Sequence, residues 1–285
     1  TATGVGTDTL TGFENVTGGA GNDTITGSSG NNVLNGGAGN DTINPGAGTD
    51  VVNGGAGTNT VTYSSVANGV SVDLGSGTGT STNITDALSN IQNVTGGSGN
   101  DTLIGDSGNN VLTGNSGNDT IIGGAGDDSL SGGAGTDAVS YGTSSADVMI
   151  DLSSGIASGA GTDTLSGLEN VTGGSGNDTL TGDAGNNVLN GGIGNDFING
   201  GIGNDFINGG AGNDTLGGGD GNDAIDGGQN LNREEGGAGA DGLTASNGVS
   251  ICTQDSQDTL NCNQTVAWSA LTANWISGTV LDSLG

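Results

Sequence analysis

The chain has no histidine and no lysine, and Arg233 is its single basic residue. Because one cation cannot neutralise a run of phosphates, nucleic-acid binding is excluded, and an anionic membrane surface would repel the chain. Without histidine, neither a Ser-His-Asp triad nor a histidine-ligated zinc site can form. Composition does not exclude a carboxylate pair of the glycosidase type. We nevertheless expect no enzymatic activity, because the aspartates have another explanation.

Long apolar runs and cysteine are also scarce. No apolar stretch is long enough to span a bilayer, so we expect no membrane insertion. The two cysteines, Cys252 and Cys262, lie ten positions apart. They would form a local disulfide in an oxidising compartment or remain as two free thiols, and the spacing does not decide between these states.

Glycine is in excess, at 65 of 285 residues, and it recurs in a nine-residue unit first seen as GGAGNDTIT at 18–26. Glycine at unit positions 1, 2 and 4 permits backbone angles forbidden to other residues, so positions 1–6 are predicted to form a tight turn. Positions 7–9 are predicted to form a short strand. Sixteen units follow this register, and they begin at Gly18, Gly27, Gly36, Pro45, Gly54, Gly96, Gly105, Gly114, Gly123, Gly132, Gly173, Gly182, Gly191, Gly200, Gly209 and Gly218.

Position 8 is aliphatic in every one of these units, from Ile25 to Ile225. One aliphatic residue in nine cannot fill a globular core, but it forms a thin core if the units stack, two per coil. Successive coils would then lie about 4.8 Å apart. The sequence therefore predicts an all-β fold, a parallel β-roll or β-solenoid of stacked repeats.

Position 6 carries a carboxylate or a carboxamide in every unit. Stacking would place these side chains in columns, where unit charges about 5 Å apart repel by about 3 kcal/mol at an effective dielectric of 20. Divalent cations between coils would convert this repulsion into coordination, and a flexible set of oxygen donors favours multiple Ca²⁺ ions. The alternative is that Asp and Gly only form ordinary β-turns. The predicted ligands are Asp23, Asp41, Asp50, Asp101, Asp119, Asp128, Asp137, Asp178, Asp196, Asp205, Asp214, Asp223 and the partial unit's Asp241, with Asn32, Asn59, Asn110 and Asn187.

Two connectors, at 63–95 and 141–172, separate the repeat blocks, and we interpret them as larger coils of the same solenoid. The N-terminus resembles the end of a connector, so we expect the chain to begin inside a longer array. The predicted organisation is a partial connector at 1–17, block 1 with its connector at 18–95, block 2 with its connector at 96–172, block 3 at 173–244 and a non-repetitive C-terminal cap at 245–285.

The C-terminal segment departs from the repeat. Trp268, Leu271 and Trp275 have helical spacing, and we expect this segment to cover the open end of the solenoid. A docking element for a partner is the alternative.

Two tandem units at 191–208 carry large apolar residues where other units have small or polar ones: Ile193, Phe197, Ile202 and Phe206. In a β-roll these side chains point outward, and we expect them to form an apolar contact patch. The patch would pack under the C-terminal segment or mediate self-association.

The units resemble the RTX, or haemolysin-type, calcium-binding repeats of bacterial proteins exported by type I secretion, over 18–244. The resemblance implies a β-roll that is disordered without calcium and folds when calcium binds outside the cell. It also implies ions between turns one coil apart, held by the position 6 aspartates and by carbonyls of the first four turn positions, for example Gly18, Gly19, Ala20 and Gly21, or Gly36, Gly37, Ala38 and Gly39. The implied stacks are Asp23 on Asp41, Asn32 on Asp50, Asp178 with Asp196 and Asp214, and Asn187 with Asp205 and Asp223.

Three functions are compatible with these features. The favoured one is a calcium-rigidified structural or adhesive segment of a secreted or surface-bound bacterial protein, fibre or matrix, with self-association as a further property. The second is a C-terminal folding and secretion module of a larger secreted enzyme or toxin, which the intact reading frame would reveal. The third is ice binding by threonine rows at position 7, which Val33 and Phe197 interrupt, and threonine is an ordinary strand residue.

Overall fold

The computed structural model describes residues 9–10, 14–254, 257–262 and 264–267, and within these ranges it contains strands and turns but no helix. The first sixteen strands are β1 (Thr9–Leu10), β2 (Asn15–Ala20), β3 (Thr24–Thr26), β4 (Val33–Ala38), β5 (Thr42–Asn44), β6 (Val51–Ala56), β7 (Thr60–Thr62), β8 (Ser71–Asp73), β9 (Thr78–Ser81), β10 (Ile84–Ser89), β11 (Asn93–Thr95), β12 (Thr102–Ile104), β13 (Val111–Ser116), β14 (Thr120–Ile122), β15 (Ser129–Ala134) and β16 (Ala138–Ser140). The others are β17 (Met149–Asp151), β18 (Ile156–Ser158), β19 (Thr162–Ser166), β20 (Asn170–Thr172), β21 (Thr179–Thr181), β22 (Val188–Ile193), β23 (Phe197–Ile202), β24 (Phe206–Ala211), β25 (Thr215–Asp220), β26 (Ala224–Asp226), β27 (Gln229–Ala238), β28 (Gly242–Thr244), β29 (Asn247–Gln254), β30 (Thr259–Asn261) and β31 (Gln264–Ala267).

The chain divides into two compact units, each of which is a stack of coils. Unit 1 comprises residues 1–140 and 155–168, and unit 2 comprises residues 141–154 and 169–285. The second connector therefore contributes to both units, whereas the sequence placed all of it with block 2.

Unit 1 contains two ladders of strands. Successive strands within a repeat block are parallel and shifted by eighteen residues, as in the register Thr24↔Thr42↔Thr60, so two nonapeptides form one coil. Ladder A contains β1, β3, β5, β7, β11, β13, β15 and β19. Ladder B contains β2, β4, β6, β10, β9, β8, β12, β14 and β16.

The connectors are not simple enlarged parallel coils. In the first connector, β9 is antiparallel to both β8 and β10, and in the second, β18 is antiparallel to β19. Each antiparallel strand follows a turn that contains a glycine at positive φ, Gly77 or Gly155. These short reversals let a longer segment rejoin the stack, so the parallel solenoid continues on either side of β9 in unit 1.

Unit 2 repeats the architecture. Ladder C contains β17, β21, β23, β25, β27, β29 and β31, and ladder D contains β20, β22, β24, β26, β28 and β30, all parallel within their ladder. Stacking thus extends beyond Thr244, the predicted end of block 3, and through the first part of the predicted cap as far as Ala267. The residues of the predicted helical face, Trp268, Leu271 and Trp275, lie outside the described residues.

Many strands are longer than predicted, because they include the first three residues of the following turn. β4 runs from Val33 through Gly36–Ala38, and Gly37 pairs in register with Gly19 and Gly55. The turns therefore stack coil on coil with the same hydrogen-bonding geometry as the strands. The separation into a six-residue turn and a three-residue strand is wrong for these units.

The core consists of the inward-pointing position 8 residues. All sixteen are at most 2% exposed: Ile25, Leu34, Ile43, Val52, Val61, Leu103, Leu112, Ile121, Leu130, Val139, Leu180, Leu189, Ile198, Ile207, Leu216 and Ile225. Connector residues such as Val72, Leu88 and Ile150 continue the same rows. The parallel β-roll with a thin aliphatic core is confirmed.

Candidate metal centre

The position 6 side chains lie in four columns, each at the edge of one ladder where a turn enters a strand. In unit 1, column A contains Asp23, Asp41, Asn59, Gln92, Asn110, Asp128 and Asp163, and column B contains Asn32, Asp50 and Asp86 before β9 and Asp101, Asp119 and Asp137 after it. In unit 2, column C contains Asp178, Asp196, Asp214 and Asn232, and column D contains Asn187, Asp205, Asp223, Asp241 and Asp258. Each stack that the sequence register predicted is present in these columns.

One oxygen of each stacked carboxylate joins neighbouring coils. Oδ1 of Asp41 accepts the backbone N–H of Asp23 at 2.8 Å, and Oδ1 of Asp214 accepts that of Asp196 at 2.9 Å. The donor lies eighteen residues earlier in both cases, which is one coil. Oδ1 therefore serves the fold, and only Oδ2 is left to serve a ligand.

Most of the remaining oxygens are buried without a hydrogen bond. Within the described part of the chain, Oδ2 has no hydrogen-bond partner in Asp41, Asp50, Asp119, Asp128, Asp196, Asp205, Asp214 and Asp223. A buried carboxylate oxygen without a partner is strongly unfavourable. Eight such atoms in regular columns are the donor set that a hard divalent cation requires.

Backbone carbonyls converge on the same places. A Cβ built on Gly36 would lie 2.2 Å from Oδ2 of Asp41 and 2.5 Å from the carbonyl oxygen of Gly54 in the next coil. Gly18 and Gly200 have the same surroundings in their own turns. In these three turns position 1 must therefore be glycine, because any side chain would displace the carboxylate or the carbonyl. The chain's own oxygens fit Ca²⁺ at these turns.

Burial makes the charged form of these carboxylates costly. It raises the pKa of Asp119, Asp128, Asp196 and Asp223 to about 6, against the opposing effect of a backbone hydrogen bond. Burial also raises the pKa of Asp41, Asp50, Asp101, Asp137, Asp205 and Asp214. Neighbouring column members add to the increase, for example Asp214 and Asp178 on Asp196. A bound cation would reverse both effects.

A second group of position 6 residues is satisfied by its own turn. Oδ2 of Asp23, Asp101 and Asp178 accepts the N–H of the position 2 glycine, at 2.6–2.8 Å. Oδ1 of Asn32, Asn110 and Asn187 accepts the corresponding N–H of Ser28, Asp106 and Asp183. These two sets stand at the first and second unit of each block, so the positions with unpartnered oxygens lie farther into the stack.

Sequence inspection missed five column members: Asp86, Gln92, Asp163, Asn232 and Asp258. The signal was present for two of them, since Asp86–Ser89 and Asp163–Ser166 repeat the D-x-U-x ending of the nonapeptide, where U is aliphatic. Both lie in connectors. The preceding glycines are absent before Asp86, whereas Asp163 follows Gly159 and Gly161, so that 158–166 is a near-complete nonapeptide. Asn232 and Asp258 continue columns C and D past the last clean unit.

Asp86 has a partner that the repeats lack. The hydroxyl of Tyr63, the first residue of the first connector, donates to its Oδ2 at 2.9 Å, and its Oδ1 accepts the N–H of Asp50 at 3.2 Å. Tyr63 is fully buried. Burial raises the pKa of Asp86 to about 7. A phenol hydroxyl thus satisfies the Oδ2 atom that has no hydrogen-bond partner in column members such as Asp50 and Asp119.

The predicted apolar patch is divided between two ladders. Ile193, Phe197, Ile202 and Phe206 are all at least half exposed. However, Phe197 lies in β23 of ladder C and pairs with Thr179 and Thr215, whereas Phe206 lies in β24 of ladder D and pairs with Val188 and Ala224. Consecutive nonapeptides alternate between ladders, so a tandem duplication cannot place both phenylalanines on one surface. The four exposed side chains are thus divided between two ladders, and their role as a contact surface stays a prediction.

Cys252 in β29 of ladder C and Cys262, which directly follows β30 of ladder D, form a disulfide. Cys252 is buried and pairs in register with Glu234, whose carboxyl group is fully buried at the position where other units have an aliphatic residue.

The family model of the RTX calcium-binding nonapeptide repeat, in four copies, matches residues 3–43, 17–52, 26–61, 95–130, 113–145, 172–207 and 199–230. Together these segments cover more than half of the chain. The chain belongs to the RTX calcium-binding repeat family. A search of curated proteins found no match.

Membership of the RTX family confirms the prediction that this chain binds calcium. The number of repeat matches is consistent with several ions. None of the described residues lies in a helix long and apolar enough to cross a membrane.

Proposed function

We propose that this RTX chain is a structural segment of a secreted bacterial protein, which calcium folds and rigidifies outside the cell. The observation that supports this proposal most strongly is the set of eight buried Oδ2 atoms without hydrogen-bond partners. These atoms destabilise the ion-free roll, and they would stabilise the calcium-bound roll by coordinating the ions.

The proposed ligands follow from the columns. Each ion lies between turns one coil apart, with Oδ2 of a position 6 aspartate and carbonyls of the first four turn positions as donors. Asp41 with the carbonyl of Gly54, and Asp205 with that of Gly218, are examples. When bound, calcium supplies charge neutralisation, and the residues themselves supply spacing and exclude water.

The hydrogen bonds of the carboxylates favour a structural role over a catalytic one. Nearly every acidic side chain at position 6 accepts a hydrogen bond from the adjacent coil through Oδ1, so these carboxylates are part of the fold and their remaining oxygens are buried. Because the ladders continue through connectors, calcium would produce a continuous stiff element within each unit. Such an element suits a surface protein, a fibre or a matrix component, and outward apolar side chains would support its self-association.

The test is far-UV circular dichroism with light scattering during a CaCl₂ titration of EDTA-treated protein, with MgCl₂ as the control. We expect a cooperative transition from coil to β-structure with calcium alone, because ion binding contributes the folding free energy. β-Structure of full amplitude in EDTA at neutral pH would contradict the proposal.

The same titration separates a structural element from a folding module. Scattering that rises with calcium supports self-assembly. A transition with unchanged scattering supports the alternative of an accessory folding module for a larger secreted protein.

A further inference from the structure

The end of ladder C contains a cluster that the calcium columns do not use. Oε2 of Glu234 lies 3.3 Å from Sγ of Cys252 and 3.8 Å from Sγ of Cys262, and the three ligand atoms lie within 4.8 Å of one another. Glu234 and Cys252 are completely buried, and Cys262 is partly buried. This cluster therefore sits inside the roll, not along its edge.

Glu234 places an acidic side chain at a position of the core that is aliphatic in the repeats. In ladder C it stands between Leu216 and Cys252, in the row that contains Ile198 and Leu180. Burial raises the pKa of its carboxyl group to about 7. Oε1 of Glu234 and Oγ of Ser250 are buried without a hydrogen bond of normal geometry within the described residues, although the nearby Ser250 hydroxyl partly opposes the rise in the pKa of Glu234. A buried acid with an unpartnered oxygen points to a ligand at this place.

The two oxygens face a common point. A Cβ built on Gly227 would lie 2.4 Å from Oε1 of Glu234 and 2.8 Å from Oγ of Ser250. Ser250 is also completely buried. Its hydroxyl therefore provides a further buried polar group beside Oε1 of the acid, whereas the two sulfurs lie near Oε2.

The distances match a tetrahedral metal site. With Zn–S of about 2.3 Å and Zn–O of about 2.1 Å, the sulfur–oxygen edge of a tetrahedron is about 3.6 Å, close to the separations of 3.3 Å and 3.8 Å. The sulfur–sulfur edge is about 3.8 Å by the same geometry. Reduction must therefore break the sulfur–sulfur bond and let the two sulfurs separate to this distance.

We propose that Glu234, Cys252 and Cys262 form a redox-gated zinc site, which is closed by the disulfide and opens when the disulfide is reduced. A dithiol reductant supplies two electrons and two protons, the S–S bond breaks, and the reductant leaves as its own disulfide. Zn²⁺ then binds both thiolates and the carboxylate, and the two thiol protons pass to solvent. Thiolate donors select zinc over calcium, so the cluster is chemically distinct from the columns.

The test is a Co²⁺ titration of the full chain in excess CaCl₂, oxidised or reduced with a phosphine. Calcium keeps the carboxylate columns occupied, and the thiolate-to-cobalt charge-transfer band reports the cysteines alone. We expect one equivalent of tetrahedral Co²⁺ in the reduced chain, displaced by Zn²⁺, and no such band in the oxidised chain. The variant Glu234→Gln should weaken Co²⁺ binding by at least about 10-fold, because loss of even an outer-shell partner costs that much. The neighbouring, partly exposed Glu235 provides the matched control Glu235→Gln, with unchanged binding.

If reduction of the disulfide unfolds the end of the roll, circular dichroism of the reduced chain in calcium will measure the loss of β-structure. In that case Zn²⁺ should restore the lost signal in the parent chain but not in Glu234→Gln. Absence of a charge-transfer band in the reduced parent, or equal Co²⁺ binding by the parent and Glu234→Gln, would overturn the proposal.

Discussion

At the scale of single residues, the two oxygens of one carboxylate have opposite effects on the ion-free fold. In Asp196, Oδ1 accepts the N–H of Asp178 in the preceding coil, whereas Oδ2 is buried without a hydrogen bond. The first interaction stabilises the stack and the second opposes it. Calcium removes the opposition without disturbing the hydrogen bond, which explains why the same residue can be both a fold determinant and a ligand.

Replacement of Asp196 by asparagine should therefore have effects of opposite sign with and without calcium. Asp196→Asn retains an acceptor for the N–H of Asp178 but removes the buried charge. We expect the CaCl₂ midpoint of folding to rise, by up to about tenfold or 1.4 kcal/mol, and β-structure in EDTA to increase. The control is Asp220→Asn, at an exposed position 3, which should change neither. Equal midpoints for the two variants would contradict a ligand role for Asp196.

Tyr63 and Asp86 allow a second test at this scale. Tyr63→Phe leaves Oδ2 of Asp86 without its hydroxyl donor in a buried place, so we expect a loss of about 1–3 kcal/mol in unfolding free energy. Urea denaturation in saturating calcium measures it. In a double-mutant cycle, Asp86→Asn should reduce the cost of Tyr63→Phe, since the interaction is shared. Additive costs would show that the hydrogen bond contributes nothing.

At the scale of elements, the turns are as regular as the strands. Gly37 has φ of 112°, and a Cβ there would lie 2.2 Å from the carbonyl oxygen of Gly19 in the adjacent coil. Glycine is thus needed at Gly37 for two reasons, backbone conformation and coil spacing. Gly217 differs, because the nearest atom to its Cβ would be 3.9 Å away.

This contrast predicts the outcome of two alanine substitutions. Gly37→Ala should destabilise the calcium-bound roll by at least about 1–3 kcal/mol, from backbone strain alone. Gly217→Ala should be neutral or stabilise by about 0.4–1 kcal/mol, through the unfolded state. Thermal unfolding in saturating CaCl₂ compares them, and similar melting temperatures would contradict the stacked-turn geometry.

The elements also show what the sequence could and could not reveal. The stack of Asp178, Asp196 and Asp214 could be predicted from the unbroken repeat, because stacked residues are separated by one coil of eighteen residues. Asp86 and Asp163 escaped detection since they follow insertions, where counting fails. The reversal at β9 depends on how a long segment closes on the stack, which local pattern does not specify. Phe197 and Phe206 look adjacent in sequence yet belong to different ladders.

At the scale of the whole molecule, charge sets the condition for folding. The formal net charge is −30, with one basic residue to offset it. Repulsion of this size opposes a compact ion-free state. Protonation of the carboxylates and binding of calcium both reduce this repulsion. Because the pKa values in the columns are raised, both act on the same carboxylates.

Low pH should therefore fold part of the ion-free chain, because protonation removes the charge that calcium would otherwise neutralise. The folded-state pKa of about 6 at Asp119, Asp128, Asp196 and Asp223 exceeds the ordinary aspartate pKa of 3.8. A raised carboxyl pKa contributes stability that is fully present below the unfolded value and is lost as pH rises through the folded value. In EDTA, we expect β-structure near pH 4 that declines between about pH 4 and pH 6.

Circular dichroism measures this transition, and it should be accompanied by light scattering because the isoelectric point is near 4.1. Asp196→Asn should retain more β-structure than the parent at pH 6 in EDTA, whereas Asp220→Asn should follow the parent. In saturating calcium the dependence should reverse, since ion binding requires the deprotonated carboxylates. β-Structure in EDTA that instead increased from pH 4 to pH 7 would mean that the column carboxylates are stabilised as anions by the protein alone, and calcium would then not be needed to hold the roll together.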